Sequence, residues 1–278
     1  MKGDRLVTQE ESYKHLYDEY ANRKGQGFSR SRFEPVNAVG FRNYIRQRAC
    51  FKQLQLKPTD KFLDIGCASG LQVKKAAKLC EMATGVDIAD EFIRTAKIES
   101  ATQNVKNTRF IQADSKNLPL ENESFTKILM AEILDHVIDP KIDLTEAFRV
   151  AQNGAHLILT VPYKNHNGSI WGRIKQIAGS RFSPLPEFSV DAWMNHGDMH
   201  VREFDCDSLT DLVEETGWKV NSLRVICHVD FPQMPRIMAK LNRFMPIRNA
   251  FIAAETLLDS IPGMNRLGEV LVLTAKKP

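Results

Sequence analysis

The residues best placed to do chemistry in this sequence are four acids, each at or near the end of a short apolar run. Asp64 lies within Phe62-Leu63-Asp64-Ile65 and is followed at once by Gly66 and Gly70, while Asp87 closes the run from Met82 to Val86. Asp114 follows Arg109 to Ala113, and Glu132 follows Lys127 to Ala131. A carboxylate at a strand tip is an acceptor for a ligand's donors. Asp87, 21 positions after Gly66, stands where an acid grips the hydroxyls of a ribose. Asp114, beside the small polar Ser115, can accept from an exocyclic amine. Between Gly66 and Gly70 the chain must turn, and a glycine turn lets backbone N–H groups come close to a ligand. Three residues, Cys67, Ala68 and Ser69, separate these two glycines. The dinucleotide fingerprint G-x-G-x-x-G needs three glycines, so a pyrophosphate is disfavoured.

The elements that must carry these acids alternate. The run ending in Asp64 and Ile65 predicts a buried strand, and Ser69 as N-cap starts a helix with Val73, Ala76, Ala77 and Cys80 on one face. After Asp87, Asp90 caps a helix with Phe92, Ile93 and Ala96 on its inner side. Asp139 and Pro140 supply an N-cap and an N1 proline for a helix that Asn153-Gly154 ends. His156 to Val161 is a fifth strand, stopped by Pro162. A helix from Asp207 to Gly217, a strand from Trp218 to Ile226 and a last strand from Gly268 to Lys276 follow. Strands joined by long crossovers predict an α/β fold: a doubly wound, mostly parallel sheet with helices on both faces and ligands at the carboxyl ends of its strands. All four acids sit there.

Asp64, Gly66, Gly70 and Asp87, with the run Asn117-Leu118-Pro119-Leu120, Glu123-Ser124-Phe125 and Glu132-Ile133-Leu134-Asp135-His136-Val137, resemble the class I S-adenosylmethionine-dependent methyltransferases of the small-molecule type. Ala68 stands where many members have glycine, and Thr126 replaces the usual acid after the phenylalanine. The resemblance implies a seven-stranded sheet whose last strand is antiparallel, and methyl transfer from S-adenosylmethionine to a small-molecule or lipid- or glycan-linked acceptor, oxygen favoured. S-adenosylhomocysteine would be the product. It also implies cofactor contacts from Asp64, Gly66, Cys67, Ala68 and Gly70 on the turn, from Asp87 and Ile88, from Asp114 and Ser115, from Glu132, and from Tyr17 on an N-terminal helix. Asp114 would be the adenine contact. An alcohol acceptor would profit from a general base, His136 first and His200 second. Two rivals remain: a nicotinamide-dependent oxidoreductase, weakened by the missing glycine, and a non-catalytic binding module on the same fold.

Expected divisions are an N-terminal helical cap over 1–60, a cofactor-binding core over 61–162, a substrate-side insertion over 163–205, and a C-terminal part over 206–278 with a helical lid at 231–260. Eight Lys or Arg between Asn22 and Lys52 face one acid, Glu34, and no acid occurs from Phe231 to Ala254. Pro235 and Pro246 would bound a helix with Arg236, Lys240 and Arg243 on one face. Both stretches read either as solvated faces or as sites for an anionic acceptor or a peripheral membrane contact. The formal charge of +4 over 278 residues does not predict nucleic-acid binding. Five cysteines without a CxxC pair read as reduced thiols of a cytoplasmic protein, with no metal framework; His196 and His200, four apart, lack a third ligand.

Overall fold

The computed structural model describes residues 17–19, 21–22, 38–164, 202–228, 245–261 and 268–278. Helix α1 (Ala38–Leu54) leads into β1 (Lys61–Ile65), α2 (Leu71–Ala76), β2 (Met82–Asp87), α3 (Asp90–Thr102), β3 (Thr108–Gln112) and β4 (Phe125–Ala131). There follow α4 (Pro140–Val150), β5 (Ala151–Pro162), α5 (Cys206–Glu215), β6 (Lys219–Ile226), α6 (Met245–Asp259) and β7 (Val270–Lys276). The strands form one sheet in the order β3-β2-β1-β4-β5-β7-β6. β1 to β5 are parallel, whereas β7 runs antiparallel between β5 and β6. This is the fold class expected from the sequence.

Alternate side chains of each strand point to opposite faces, and both faces are covered. On one, Leu63, Ile65, Ile128, Met130, Leu157 and Leu159 pack against Leu144 and Ala147 of α4 and Leu209 and Val213 of α5. On the other, Phe62, Leu129, Ile158 and Val272 meet Phe41, Ile45 and Leu54 of α1, Val73 and Ala76 of α2, Ile93 of α3 and Ile252 of α6. Central strands buried on both sides explain why β1 and β4 read as continuous apolar runs. α6 is tied down by Phe251 edge-on to Phe41, 6.4 Å between centroids, and by buried Glu255, whose two oxygens accept the His228 backbone N–H at 2.9 and 3.1 Å.

Several helix ends differ from expectation, each for a physical reason. The N-cap of α2 is Gly70 at φ 71, not Ser69; the Ser69 carbonyl instead accepts from the Lys74 ammonium at 3.1 Å. The N-cap of α3 is Ala89, not Asp90. Its free donors go to two other acids, Ala89 N–H to Asp87 Oδ1 at 3.0 Å and Asp90 N–H to Asp18 Oδ1 at 3.0 Å. Asp139 and Pro140 do start α4, the carboxylate accepting from Lys141 N–H at 3.1 Å. That helix stops at Val150 rather than at Asn153-Gly154, because the Lys277 ammonium donates to the carbonyls of Phe148 and Ala151, both at 2.9 Å, and the chain passes straight into β5. Pro246 lies in the first turn of α6, where proline is tolerated, and so begins a helix instead of ending one. Arg236, Lys240 and Arg243 lie outside the described residues, as does 165–201 of the expected insertion. Among the described residues no helix is long and apolar enough to cross a membrane.

Candidate active site

The turn after β1 is built by its own backbone and by β2. Gly66 and Cys67 N–H both donate to the Val86 carbonyl, at 2.8 and 2.9 Å, and Gly70 N–H closes back onto Cys67 O at 2.9 Å. Gly66 and Gly70 hold φ +76 and +71, values an L side chain adopts only at a cost of about 1–2 kcal/mol. Ala68, at φ 44, bears that strain where glycine is common in the family it resembles. The glycines are not mere openings for a ligand. A Cβ at Gly66 would sit 3.0 Å from Ile133 Cδ1, and one at Gly70 would sit 2.4 Å from the Phe110 ring. Cys67 turns its buried side chain inward over Gly85, where any Cβ would come within 2.7 Å of Sγ, so only its backbone faces the site. Gly85 was missed in the sequence, although a glycine inside a strand is the usual mark of such close approach.

Two acids meet under this turn. Asp87 accepts Ala68 N–H at 2.8 Å and Ala89 N–H at 3.0 Å, one on each oxygen. Each oxygen keeps acceptor capacity for a ligand hydroxyl. Burial pushes its carboxyl up to about 6 against the pull of those N–H donors, and Asp18 pushes the same way. Asp64 is 2% exposed, and among the described residues its Oδ2 has no hydrogen-bond partner. Burial, then the charge of Asp87, drive its carboxyl well above the ordinary range. Tyr17 and Ala68 pack together against Ala89 and Phe92, so the N-terminal segment does reach the turn. The half-buried Ile88 follows Asp87 and accepts from Gln112 Nε2 through its carbonyl at 3.2 Å.

Glu132 is engaged with the protein. Its Oε2 pairs with Arg46 Nη1 at 2.6 Å, and its Oε1 accepts from the Thr160 hydroxyl at 3.2 Å. Arg46, only 7% exposed on α1, was read from the sequence as one of a basic stretch; here it brings a buried guanidinium to the end of β4. His136 sits in the next turn with Nε2 3.5 Å from Asp135 Oδ2, an arrangement that orients a base. His200 and His196 lie outside the described residues. Burial pushes the Cys50 thiol up to about 12, so it is no nucleophile. Among the described residues no group of three His, Cys, Asp or Glu side chains can hold a metal ion.

Asp114 and Ser115 start a loop that α4 holds from below with three residues spaced by one helical turn. Asp143 is fully buried, with Ser115, Asp114 and Lys116 around it, and burial pushes its carboxyl up to about 6. Glu146 accepts Leu118 N–H at 3.0 Å, and Arg149 donates to the carbonyls of Leu118 and Leu120 at 3.0 and 2.8 Å. Glu146→Ala removes the Leu118 acceptor and frees Arg149, which it grips at 2.8 and 2.9 Å. The variant is expected to lose about 1–3 kcal/mol of stability, read from the denaturant midpoint, with faster amide exchange at Lys116 to Leu118.

Residues 63–159 match the family model of the methyltransferase domain. A curated relative from Bartonella tribocorum, named ubiquinone biosynthesis O-methyltransferase, is 28% identical over 167 residues, 58% of this chain and 64% of its own length. The chain thus spans just under two thirds of that relative. Among solved structures, a Haloferax volcanii chain in complex with the Trm112 methyltransferase activator superimposes with TM-score 0.63 at 16% identity, covering 94% of this chain and 98% of that one. A chain named as the [4+2]-cyclase SpnF gives 0.58 at 16%, covering 86% and 81%. These likenesses show the fold, and the second name shows that the fold alone does not fix the reaction. The matched domain, the sheet order and the acid-flanked glycine turn together make residues 63–159 similar to the methyltransferase domain, on the fold shared with these solved structures.

Proposed function

We propose that this chain transfers the methyl group of S-adenosylmethionine to an oxygen of a small-molecule acceptor. The observation that carries the proposal is the Oδ2 of Asp64, without a hydrogen-bond partner among the described residues and buried beside a second raised carboxyl, Asp87. Such a pair calls for a cationic ligand. S-adenosylmethionine has an ammonium and a sulfonium, whereas a pyrophosphate would set like charge against the pair. The residues present fit the group. When bound, it supplies a methyl carbon that is already electrophilic, so the protein's work is alignment and exclusion of water. Asp87 would hold the ribose hydroxyls with its remaining lone pairs. Arg46, fixed by Glu132, would meet the ligand's carboxylate. His136, oriented by Asp135, is the base we assign to an acceptor hydroxyl; His200 is the second candidate from the sequence. The relative's printed name supports oxygen as the acceptor atom. The basic character of α1, with Arg48 and Lys52 beyond the paired Arg42 and Arg46, supports an anionic or lipid-linked acceptor.

This reading carries a pH dependence. Asp87 must be ionised to accept from ribose hydroxyls and to attract a cation, and its carboxyl lies at about 6. Binding therefore releases a proton, so affinity is full above that pH and falls as pH drops through it. Calorimetry between pH 5 and 8 checks this. In Asp87→Asn the part of the dependence near pH 6 should disappear, leaving whatever Asp64 contributes at higher pH, and this separates it from Asp143, a group in the same range that lies beneath the loop. Activity itself is tested by incubating the chain and cell extract with methyl-labelled S-adenosylmethionine. A labelled small molecule, absent without the chain, is expected; S-adenosylmethionine binding with no labelled product from any acceptor fraction would leave only the binding-module reading.

A further inference from the structure

We propose a second ligand site, on the amino edge of the parallel strands and away from the cofactor turn, that takes a multivalent anion of the phosphate class. It is built on strand register. Lys127 of β4 pairs with His156 of β5, His156 with Lys276 of β7, and Lys276 with Lys219 of β6. Registered partners project from the same face at a spacing of about 4.8 Å, so these basic side chains form a row about 14 Å long. Lys57, in the connection from α1 to β1, acts electrostatically on both Lys127 and His156.

Like charges side by side on neighbouring strands are destabilising, and the chain does little to relieve them. Among the described residues none of the row's side chains has an ion pair or hydrogen bond. Asp60, the acid that acts on Lys127 and His156, is buried and has both oxygens in use, accepting the Thr126 hydroxyl at 2.8 Å and Lys57 N–H at 2.7 Å. Lys127 is only 8% exposed. Burial holds it below the ordinary lysine range against the opposing pull of Asp60, and the charge of Lys57 adds to the lowering. His156 is likewise held down by burial, then by Lys127 and Lys276. A lysine that is more than nine-tenths buried, whose neighbouring acid is already engaged elsewhere and which stands beside further basic groups, is a subsite short of counter-charge. One strand step inward on the same face, the hydroxyls of Ser222 and Thr274 bond to each other at 2.8 Å, adding two neutral donors.

The spacing favours linked phosphates over one carboxylate, since a pyrophosphate meets two steps of the row at once. The recessed position of Lys127 argues against a flat membrane surface, which only Lys276 and Lys219, both exposed, could touch. Nothing in the site depends on cofactor or acceptor, so it stands or falls apart from the methyltransferase reading.

The test uses the full chain at constant ionic strength in chloride, phosphate or pyrophosphate. The readouts are the His156 ring resonance, assigned with His156→Gln, and the thermal midpoint. Pyrophosphate is expected to move the His156 titration upward from its depressed position and to raise the thermal midpoint. Lys127→Met and Lys276→Gln should each weaken pyrophosphate about tenfold or more while leaving S-adenosylhomocysteine affinity unchanged. Should Lys127→Met fail to fold, the exposed Lys276→Gln carries the measurement. A His156 titration indifferent to pyrophosphate, or undiminished pyrophosphate binding in Lys276→Gln, overturns the proposal. Binding to phosphatidylglycerol vesicles without any response to free pyrophosphate overturns it in favour of a membrane surface.

Discussion

Asp87→Ala is expected to weaken S-adenosylmethionine and S-adenosylhomocysteine roughly a hundredfold while the chain stays folded. A hydrogen bond to a charged group contributes about 1.5–3 kcal/mol, or roughly ten- to a hundredfold in affinity, and here the loss does not stop at the ribose. The same carboxylate fixes Ala68 and Ala89 through their N–H groups, so alanine at 87 also releases the turn and the first residues of α3. That places the effect at the upper end of the range. The fold survives because ionised Asp87 is itself disfavoured by burial, and its removal lifts that strain. The dissociation constant by calorimetry and the thermal midpoint check both halves. A folded variant with unchanged affinity would remove Asp87 from the site.

The largest loss of stability is expected from Gly70→Val. Its Cβ would stand 2.4 and 2.8 Å from two atoms of the Phe110 ring and 3.1 Å from Ala96 Cβ, at φ +71. Left-handed backbone costs about 1–2 kcal/mol and overpacking about 1–3 kcal/mol, together about 2–5 kcal/mol. Native stabilities are about 5–15 kcal/mol, so the thermal midpoint should fall by about 5–20 °C. Gly66→Ala is milder, since its Cβ meets the movable end of Ile133 at 3.0 Å. A midpoint equal to that of the parent protein would show that α2 and α3 do not pack through Gly70.

The strand, turn and helix around Gly66 were legible because their signals are local: an apolar run, an acid, two glycines. The acids at the strand tips were legible for the same reason, parallel strands in an alternating fold all ending at one edge. The local cap Asp139 was legible too, but the other helix ends were not, because what settles them comes from far along the chain. Asp18 takes the N–H of Asp90, and Lys277 takes the carbonyls that end α4. Nor could Arg46 be singled out among eight basic residues, since its partner Glu132 lies on another element and packing alone brings them together. The row from Lys127 to Lys219 depends on register across four strands, which hydrophobic pattern sets for buried faces and leaves open at polar edges.

The most direct test is calorimetric titration of the full chain at pH 8 with S-adenosylmethionine, S-adenosylhomocysteine and NAD, repeated on Asp64→Asn. One-to-one, saturable binding of the first two ligands and none of NAD is expected, with S-adenosylmethionine weakened about tenfold or more when the buried carboxyl at 64 is replaced. NAD binding without S-adenosylmethionine binding, or an affinity for S-adenosylmethionine that is the same in Asp64→Asn, would contradict the assignment of this turn and its acid pair to the cofactor.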